Sequence, residues 1–194
     1  MSRNSTLIVL ILLAAFSRLV PHPPNFASIA GVALFGAAQF RSKWLAFLVP
    51  LAAMLLSDLA LGILVQLHFY SDSGWMAHTQ GIHLGSIVVY ATFAMITAMG
   101  FILRKNRTIP WLGGTALAGS IIFHVTTNLG VWVAGDLYPM TLSGLVTCFV
   151  AAIPFFLRTV LSDLSYVAVL FGSFALAERH YPSLRLALTP VPTA

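Results

Sequence analysis

Six long apolar runs, separated by short polar or basic segments, constrain this 194-residue chain more than any other feature. The runs cover residues 5–20, 27–40, 44–67, 84–103, 111–134 and 154–178. Only 8% of the residues are charged, whereas soluble domains carry about 25%. Such a chain needs a lipid solvent, in which about 20 apolar residues cross the bilayer as a helix. The sequence therefore predicts an all-α, polytopic membrane protein with six spans in a single domain, residues 1–194.

The apolar stretch that contains the last run is too long for one crossing. It extends from residue 142 to 177 and would measure about 50 Å as a helix, against a hydrocarbon core of about 30 Å. Pro154 lies within it and lacks the backbone N–H that a helix interior needs. We therefore expect a break at Pro154, with a short interfacial or re-entrant segment at 142–152 before the last span.

The first two runs allow more specific predictions. Arg3 precedes residues 5–20, so a secretory signal peptide competes with a retained helix for this segment. The absence of an A-x-A cleavage pattern before Arg18 favours the retained helix. Residues 27–40 are rich in Ala and Gly, which let helix backbones approach closely in lipid. We expect this second helix to pack centrally.

The basic residues set the orientation. The loops at 21–26, 68–83 and 135–141 contain no Lys or Arg. Basic residues mark the cytoplasmic side, which predicts a multi-pass protein of the bacterial inner membrane with both termini in the cytoplasm. Because they form no stripe with interleaved aromatic residues, no nucleic-acid partner is expected. The residues on the predicted cytoplasmic side are Arg3, Arg41, Lys43, Arg104, Lys105, Arg107, Arg179 and Arg185.

Polar side chains inside the runs are costly in lipid and mark candidate sites. His124, Asn128 and Trp132 are spaced by four, so they share one helical face. A structural interpretation competes for the charged members, because Arg18 with Asp58, or Arg158 with Asp163, would make buried ion pairs. The substrate-binding set predicted near the outer side is His22, Asn25, Asp58, His83, Tyr90, His124, Asn128, Trp132, Tyr138 and Arg158.

The sequence carries no catalytic motif of a hydrolase, metalloprotease or P-loop enzyme, so no enzyme activity is expected. Its single cysteine, Cys148, excludes an intrachain disulfide and a multi-cysteine metal site. Two alternatives to transport stay open. One is a membrane-embedded metal or haem protein that uses His83 and His124. The other is a structural or assembly protein whose polar residues pair with one another.

Four segments carry a family resemblance. They are R-L-V-P-H-P-P-N-F at 18–26, F-L-V-P-L-A-A-M-L-L-S-D at 47–58, T-N-L-G-V-W at 127–132, and A-A-I-P-F-F at 151–156 followed by Asp163. Together they resemble a poorly characterised bacterial membrane family. That family is similar, in size and six-helix layout, to the substrate-binding S components of energy-coupling factor (ECF) vitamin transporters. The resemblance implies an S-component-like fold and a small-molecule substrate.

The nearest functional likeness is to the solitary cobalamin-type S component. That type has a histidine after the first helix, an acid in the third, a tyrosine early in the fourth and an arginine at the start of the last. It also has a cobalt-coordinating cysteine where this chain has Gly85, and the resemblance implies that His83 takes the place of this axial ligand. The matching positions here are His22, Asp58, Tyr90 and Arg158.

The resemblance leaves the partner open. S components that share an energising module dock through an A-x-x-x-A face on the first helix, whereas here Ala33 and Ala37 supply that pattern on the second. The protein therefore works either alone or on an ECF module. The function predicted from the sequence is uptake of a small nutrient, a vitamin such as cobalamin, from the outer side. No resident cofactor is required, and cobalamin would be the transported ligand.

Overall fold

The computed structural model describes residues 2–23, 25–27, 29–69, 84–135 and 137–185. In these ranges the chain is helical and contains no strand, as the sequence predicts. Short 3₁₀ turns follow three of the helices, at Ser17–Leu19, Phe101–Arg104 and Pro182–Leu184. The helices are α1 (Arg3–Phe16), α2 (Ile29–Gln39), α3 (Lys43–Gln66), α4 (Leu84–Gly100), α5 (Ile109–Ala134) and α6 (Leu142–His180).

Four segments of the described chain are helical, long and apolar enough to cross a membrane: Lys43–Gln66, Gly85–Arg104, Ile109–Ala134 and Leu142–His180. They correspond to α3, α4 with its following 3₁₀ turn, α5 and α6. The two remaining helices are shorter, since α1 has 14 residues and α2 has 11. A full crossing takes about 20 residues. The fold is thus a helical bundle of membrane-protein character, built around four long apolar helices.

Helix α2 occupies the centre of the bundle, as its small residues predict. Residues 30–40 are all buried, and α2 contacts each of the other five helices. Two of its glycines permit this close packing. A Cβ atom at Gly31 would lie 2.6 Å from Cβ of Tyr166, and one at Gly36 would lie 2.5 Å from Cγ of Pro50. Without these glycines, α3 and α6 could not approach the α2 backbone so closely.

The predicted break at Pro154 is wrong. Helix α6 runs without interruption from Leu142 to His180, and its 39 residues correspond to about 58 Å. Proline removes only one backbone hydrogen bond, and packing on both sides of it can hold the helix together. Phe149 and Phe156, on either side of Pro154, both contact the His124 ring of α5. The segment 142–152 is therefore the first part of α6 and not a separate interfacial segment.

A tight turn joins α5 to α6. Gly135 ends α5 with φ of 74°, a left-handed conformation that favours glycine. The indole Nε1 of Trp132 donates to the carbonyl of Pro139 at 3.1 Å. Thr141 then caps α6, because its side chain accepts a hydrogen bond from the Gly144 N–H at 3.1 Å. These contacts set α5 and α6 antiparallel, with their facing sides packed together.

Three arginines bind the C-terminal end of α2, and we call Arg3, Arg104 and Arg107 the arginine cluster. Arg104 donates to the carbonyls of residues 37 and 40, at 2.9 and 2.7 Å. Arg107 donates to the carbonyl of residue 38 at 2.7 Å, and Arg3 to that of Gln39 at 3.2 Å. The last carbonyls of a helix have no partner within it and carry partial negative charge. The cluster therefore caps the C-terminal end of α2 with positive charge, which complements the partial negative charge of that helix end.

The same cluster joins the two ends of the chain. Arg3 also donates to Glu178 at 2.7 Å and to the carbonyl of Leu184 at 2.6 Å. The side-chain oxygen of Gln39 accepts from both Arg3 and Arg107, at 2.8 and 3.0 Å. Burial and the nearby Arg3 charge lower the pKa of Arg107 from its ordinary value. Arg3 and Leu184, near the two ends of the described chain, thus lie at the same end of the bundle.

Candidate binding cavity between α4, α5 and α6

A cavity of about 320 Å³ lies between α4, α5 and α6, and Asn25 lines it from the chain before α2. Helices α5 and α6 supply most of its wall, α4 supplies Val89, and the preceding segment supplies Asn25. Three of the predicted site residues line it: Asn25, His124 and Asn128. The remaining lining residues are Val89, Phe123, Thr127, Val131, Ala152, Phe155, Phe156 and Thr159.

His124 and Asn128 form the polar centre of this cavity. The Asn128 amide nitrogen donates to the carbonyl of His124 at 2.8 Å, which fixes the orientation of the amide. The same nitrogen lies 3.2 Å from Nδ1 of His124. An amide nitrogen only donates, so Nδ1 must accept, and neutral imidazole then carries its proton on Nε2. The His124 ring packs on Phe156 at 4.8 Å and, edge-on, on Phe149 at 5.5 Å between centroids.

Two threonines add hydroxyl groups to the cavity wall. Thr127 on α5 donates its hydroxyl proton to the carbonyl of Phe123 at 2.7 Å, and Thr159 on α6 donates to that of Phe155 at 3.0 Å. Because both protons are used within the helices, the hydroxyl oxygens are left as acceptors. The cavity therefore offers acceptors on both α5 and α6, and a donor at Nε2 of His124.

The segment before α2 holds Asn25 against the cavity from the side. Asn25 has φ of 62°, and asparagine is among the few non-glycine residues that adopt this left-handed region readily. The segment is attached to α6, since the Ser162 hydroxyl donates to the carbonyl of Ala27 at 2.8 Å. Phe26 contacts Tyr166, at 6.4 Å between ring centroids. Helix α6 thus both lines the cavity and binds residues next to Asn25.

Asp58 and Tyr90 lie outside the cavity wall and belong to a second polar cluster, which we call the Asp58 triad. The Asp58 carboxylate accepts from Arg18 and from the Tyr90 hydroxyl, each at 2.5 Å. The predicted pairing of Arg18 with Asp58 is therefore confirmed. The triad joins the end of α1 to α3 and α4, and its three side chains satisfy one another.

The predicted pairing of Arg158 with Asp163 is wrong. Asp163 is buried and accepts from the Ser120 hydroxyl at 2.6 Å and from the Ala30 N–H at 3.1 Å. The carboxylate thus caps the N-terminal end of α2, where the helix dipole favours negative charge. Arg158 is exposed on α6 and does not line the cavity.

The other predicted site residues lie apart from the cavity. Nδ1 of His22 lies 2.7 Å from the carbonyl of Val20, and Trp132 is bound to Pro139 as described above. Tyr138 is half-buried in the turn between α5 and α6. His83, predicted as an axial metal ligand, lies outside the described residues. Within the described ranges, no three His, Cys, Asp or Glu side chains lie close enough to hold a metal ion together.

Sequence reasoning missed the apolar part of the cavity and its two threonines. Phe155, Phe156 and Thr159 lie at spacings of one and four, which place them on one helical face. That signal lay within the predicted run 154–178, but an apolar helical face alone does not show whether it borders a cavity, another helix or lipid. Thr127 carried no signal of its own, because a threonine within an apolar helix commonly bonds only to its own backbone.

Comparison with known proteins identifies a family without a described activity. No curated protein and no solved structure matches the chain. A model of a family of unknown function matches residues 1–184, which is nearly the whole chain. On that match, the protein belongs to the family DUF6580.

Proposed function

We propose that this protein is the substrate-binding component of an uptake system for a small nutrient in the bacterial inner membrane. The observation that carries the proposal is the cavity of about 320 Å³, whose wall combines three phenylalanines with the polar groups of His124, Asn128, Thr127 and Thr159. Ligand pockets are concave and mostly apolar, with a few placed polar groups, and often lie between the helices of a bundle.

The position of the cavity supports capture from the outer side. The arginine cluster lies at the α2 end where Arg3 meets Leu184, whereas Asn25 precedes the opposite end of α2. Basic residues favour the cytoplasmic side of a membrane protein. With that orientation, all six helices cross or enter the membrane, both termini are cytoplasmic, and the cavity lies toward the outer leaflet.

The burial of α2 helps to decide whether the protein docks on an energising module. Ala33 and Ala37, which supply the A-x-x-x-A pattern of module-dependent S components, are fully buried within the bundle. A docking face has to be exposed, so this pattern is not presented to an energising module. The arrangement favours a solitary S-component-like protein over one that docks through these alanines.

The size of the cavity bears on the ligand. Pockets for drug-sized molecules measure about 300–1,000 Å³, so this one is at the lower end of the range. A nutrient smaller than a corrinoid fits this volume. Cobalamin itself would require the cavity to widen, with the Asp58 triad or Arg158 then reaching the ligand.

A thermal-shift screen of the detergent-purified protein against vitamins and their precursors tests the proposal. A ligand present at 100 times its Kd adds about 2.7 kcal/mol of stability. We expect Thr127→Val to lose this gain. Thr147→Val is the matched control, because Thr147 makes the same kind of hydroxyl bond to the carbonyl four residues earlier, at 2.8 Å, yet is exposed outside the cavity.

Two results would contradict the proposal. If a ligand stabilised Thr127→Val as much as the unsubstituted protein, the cavity would not be its site. If no compound in the screen gave a shift, while metal or haem remained bound through purification, the membrane-embedded metalloprotein would replace the transporter as the better interpretation.

A further inference from the structure

The described part of the cavity wall contains no Asp, Glu, Lys or Arg. Its polar residues are two threonines, two asparagines and a histidine whose Nδ1 accepts a hydrogen bond, as in a neutral imidazole. Arg158, one residue before Thr159, is exposed on α6 and is not part of this wall. Two other nearby charged groups, both carboxylates, are bound by other residues. Asp163 is bound to Ser120 and to the start of α2, and Asp58 is bound to Arg18 and Tyr90. A charged ligand would therefore lose its hydration without gaining a counterion, which is strongly unfavourable.

The apolar part of the wall is aromatic. Phe123, Phe155 and Phe156 face the same cavity as the His124 ring. Aromatic side chains bind other rings through offset or edge-to-face contacts with centroids about 4.5–7 Å apart. The His124–Phe156 pair, at 4.8 Å and 47°, already has a geometry of this kind. A planar ring of the ligand would find matching surfaces on both α5 and α6.

The polar part of the wall sets the hydrogen bonds that a ligand must make. The hydroxyl oxygens of Thr127 and Thr159 accept, because their protons are donated to helical carbonyls. Nε2 of His124 donates, because Nδ1 accepts from Asn128. A ligand that fits needs at least one donor and one acceptor at separate positions on its ring.

From these observations we infer that the cavity binds an uncharged aromatic heterocycle that carries both a hydrogen-bond donor and an acceptor. This inference rests on the proposed function, since it names the substrate class of the same cavity. It excludes anionic members of the nutrient panel, such as free carboxylates and phosphates. Neutral amides and hydroxyl-bearing pyridines belong to the class that remains.

Paired probes of equal shape and different charge test the inference. Nicotinamide and nicotinate share one ring, as do benzamide and benzoate, and at neutral pH only the amide of each pair is uncharged. We expect the amides to bind the detergent-purified protein at least about tenfold tighter than the carboxylates, measured by thermal shift and equilibrium dialysis. Nicotinamide should also bind tighter than benzamide, because its ring nitrogen can accept from Nε2 of His124.

A charge placed on the wall should change this preference. Val131 lines the cavity and is 39% exposed, so Val131→Lys introduces a cation at the rim. We expect it to raise nicotinate affinity by about tenfold while nicotinamide affinity falls or stays constant. Val133→Lys is the matched control, because Val133 is exposed on the same helix outside the cavity wall. It should leave both affinities unchanged.

The outcomes separate this inference from the proposed function. If nicotinate bound as tightly as nicotinamide, and Thr127→Val removed both, the cavity would be a nutrient site but the inference would be overturned. The same holds if the vitamin screen yielded a ligand that binds in its charged form. If Thr127→Val left every affinity unchanged, the proposed function would fail together with the inference.

Discussion

The arginine cluster and the cavity both contain polar groups within the same apolar bundle, but they differ in how completely those groups are hydrogen-bonded. Each arginine of the cluster donates at least two hydrogen bonds, and the last carbonyls of α2 all find partners there. In the cavity, Thr127, Thr159 and His124 have oxygens or an N–H that are left available to a ligand. Polar groups that are fully paired stabilise the fold, whereas those that retain bonding capacity are the groups to which the proposed function assigns ligand recognition.

The difference has a physical origin in helix α2. Its 11 residues are too few to cross the membrane, so both of its ends lie within the bundle. Unpaired backbone groups there would be costly, and other helices supply the charges that satisfy them. Asp163 binds the N-terminal end and the arginine cluster binds the C-terminal end. The backbone around the cavity needs no such partners, because most of it belongs to the interior of long continuous helices.

The largest effect on stability is expected at the arginine cluster. Arg3→Met leaves the Glu178 carboxylate and the carbonyl of Gln39 without their donor at a largely buried position, where breaking an ion pair costs about 3 kcal/mol or more. The free energy of unfolding in mixed micelles measures this loss. Arg41→Met is the control, because Arg41 is exposed at the start of the turn before α3 and should change stability by less than about 0.5 kcal/mol. Equal losses in the two variants would show that α2 does not need the arginine cluster.

The next largest effect is expected where α2 meets α6. A Cβ atom at Gly31 would clash with Tyr166, so Gly31→Ala should destabilise the protein by about 1–3 kcal/mol. Gly62→Ala is the matched control, since nothing lies within 4 Å of the added atom on α3. It should be neutral or stabilise by up to about 1 kcal/mol, because alanine favours helices. If Gly31→Ala were as stable as Gly62→Ala, α2 would not be packed as tightly as its glycines indicate.

The sequence predicts where the helices lie more reliably than it predicts the residues at which they end or whether a long helix is continuous. Apolar runs report burial in lipid or protein, and each of the six runs contains a helix. Helix α6 was divided wrongly because the sequence shows Pro154 but not the side chains that pack on both sides of it. The runs at 5–20 and 27–40 correspond to helices of only 14 and 11 residues, α1 and α2. Hydropathy alone does not reveal whether a short apolar helix faces lipid or the interior of a bundle.

The site could be predicted only in part, because its contacts join distant segments. The spacing of His124 and Asn128 correctly placed both on one face, and that face lines the cavity. The partner of Asp163 could not be found in this way, since it is the backbone of α2, more than 130 residues earlier. A backbone N–H has no sequence signature. For the same reason, Arg158 could not be separated from the cavity residues before the exposed face of α6 was known.

A smaller effect on stability is expected at the Asp58 triad. Its ion pair is partly exposed, with 16% and 36% of the Arg18 and Asp58 side chains accessible. Asp58→Asn should therefore cost only about 1 kcal/mol. A double-mutant cycle with Arg18→Met measures the coupling directly. Ligand affinity should not change, because neither residue lines the cavity. If Asp58→Asn abolished ligand binding without lowering stability, Asp58 would bind the ligand and would not act mainly as a structural ion-pair partner.

The smallest effect on stability, and the largest on binding, is expected at His124. His124→Phe keeps a ring against Phe149 and Phe156 and removes only the contact of Nδ1 with Asn128, so stability should fall by about 0.5 kcal/mol. Ligand affinity should fall because the Nε2 donor is lost. His22→Phe is the matched control, since His22 lies beside the backbone of Val20 and outside the cavity wall. If His22→Phe abolished binding and His124→Phe did not, the residues matched to the cobalamin-type S component would hold the ligand in place of the cavity.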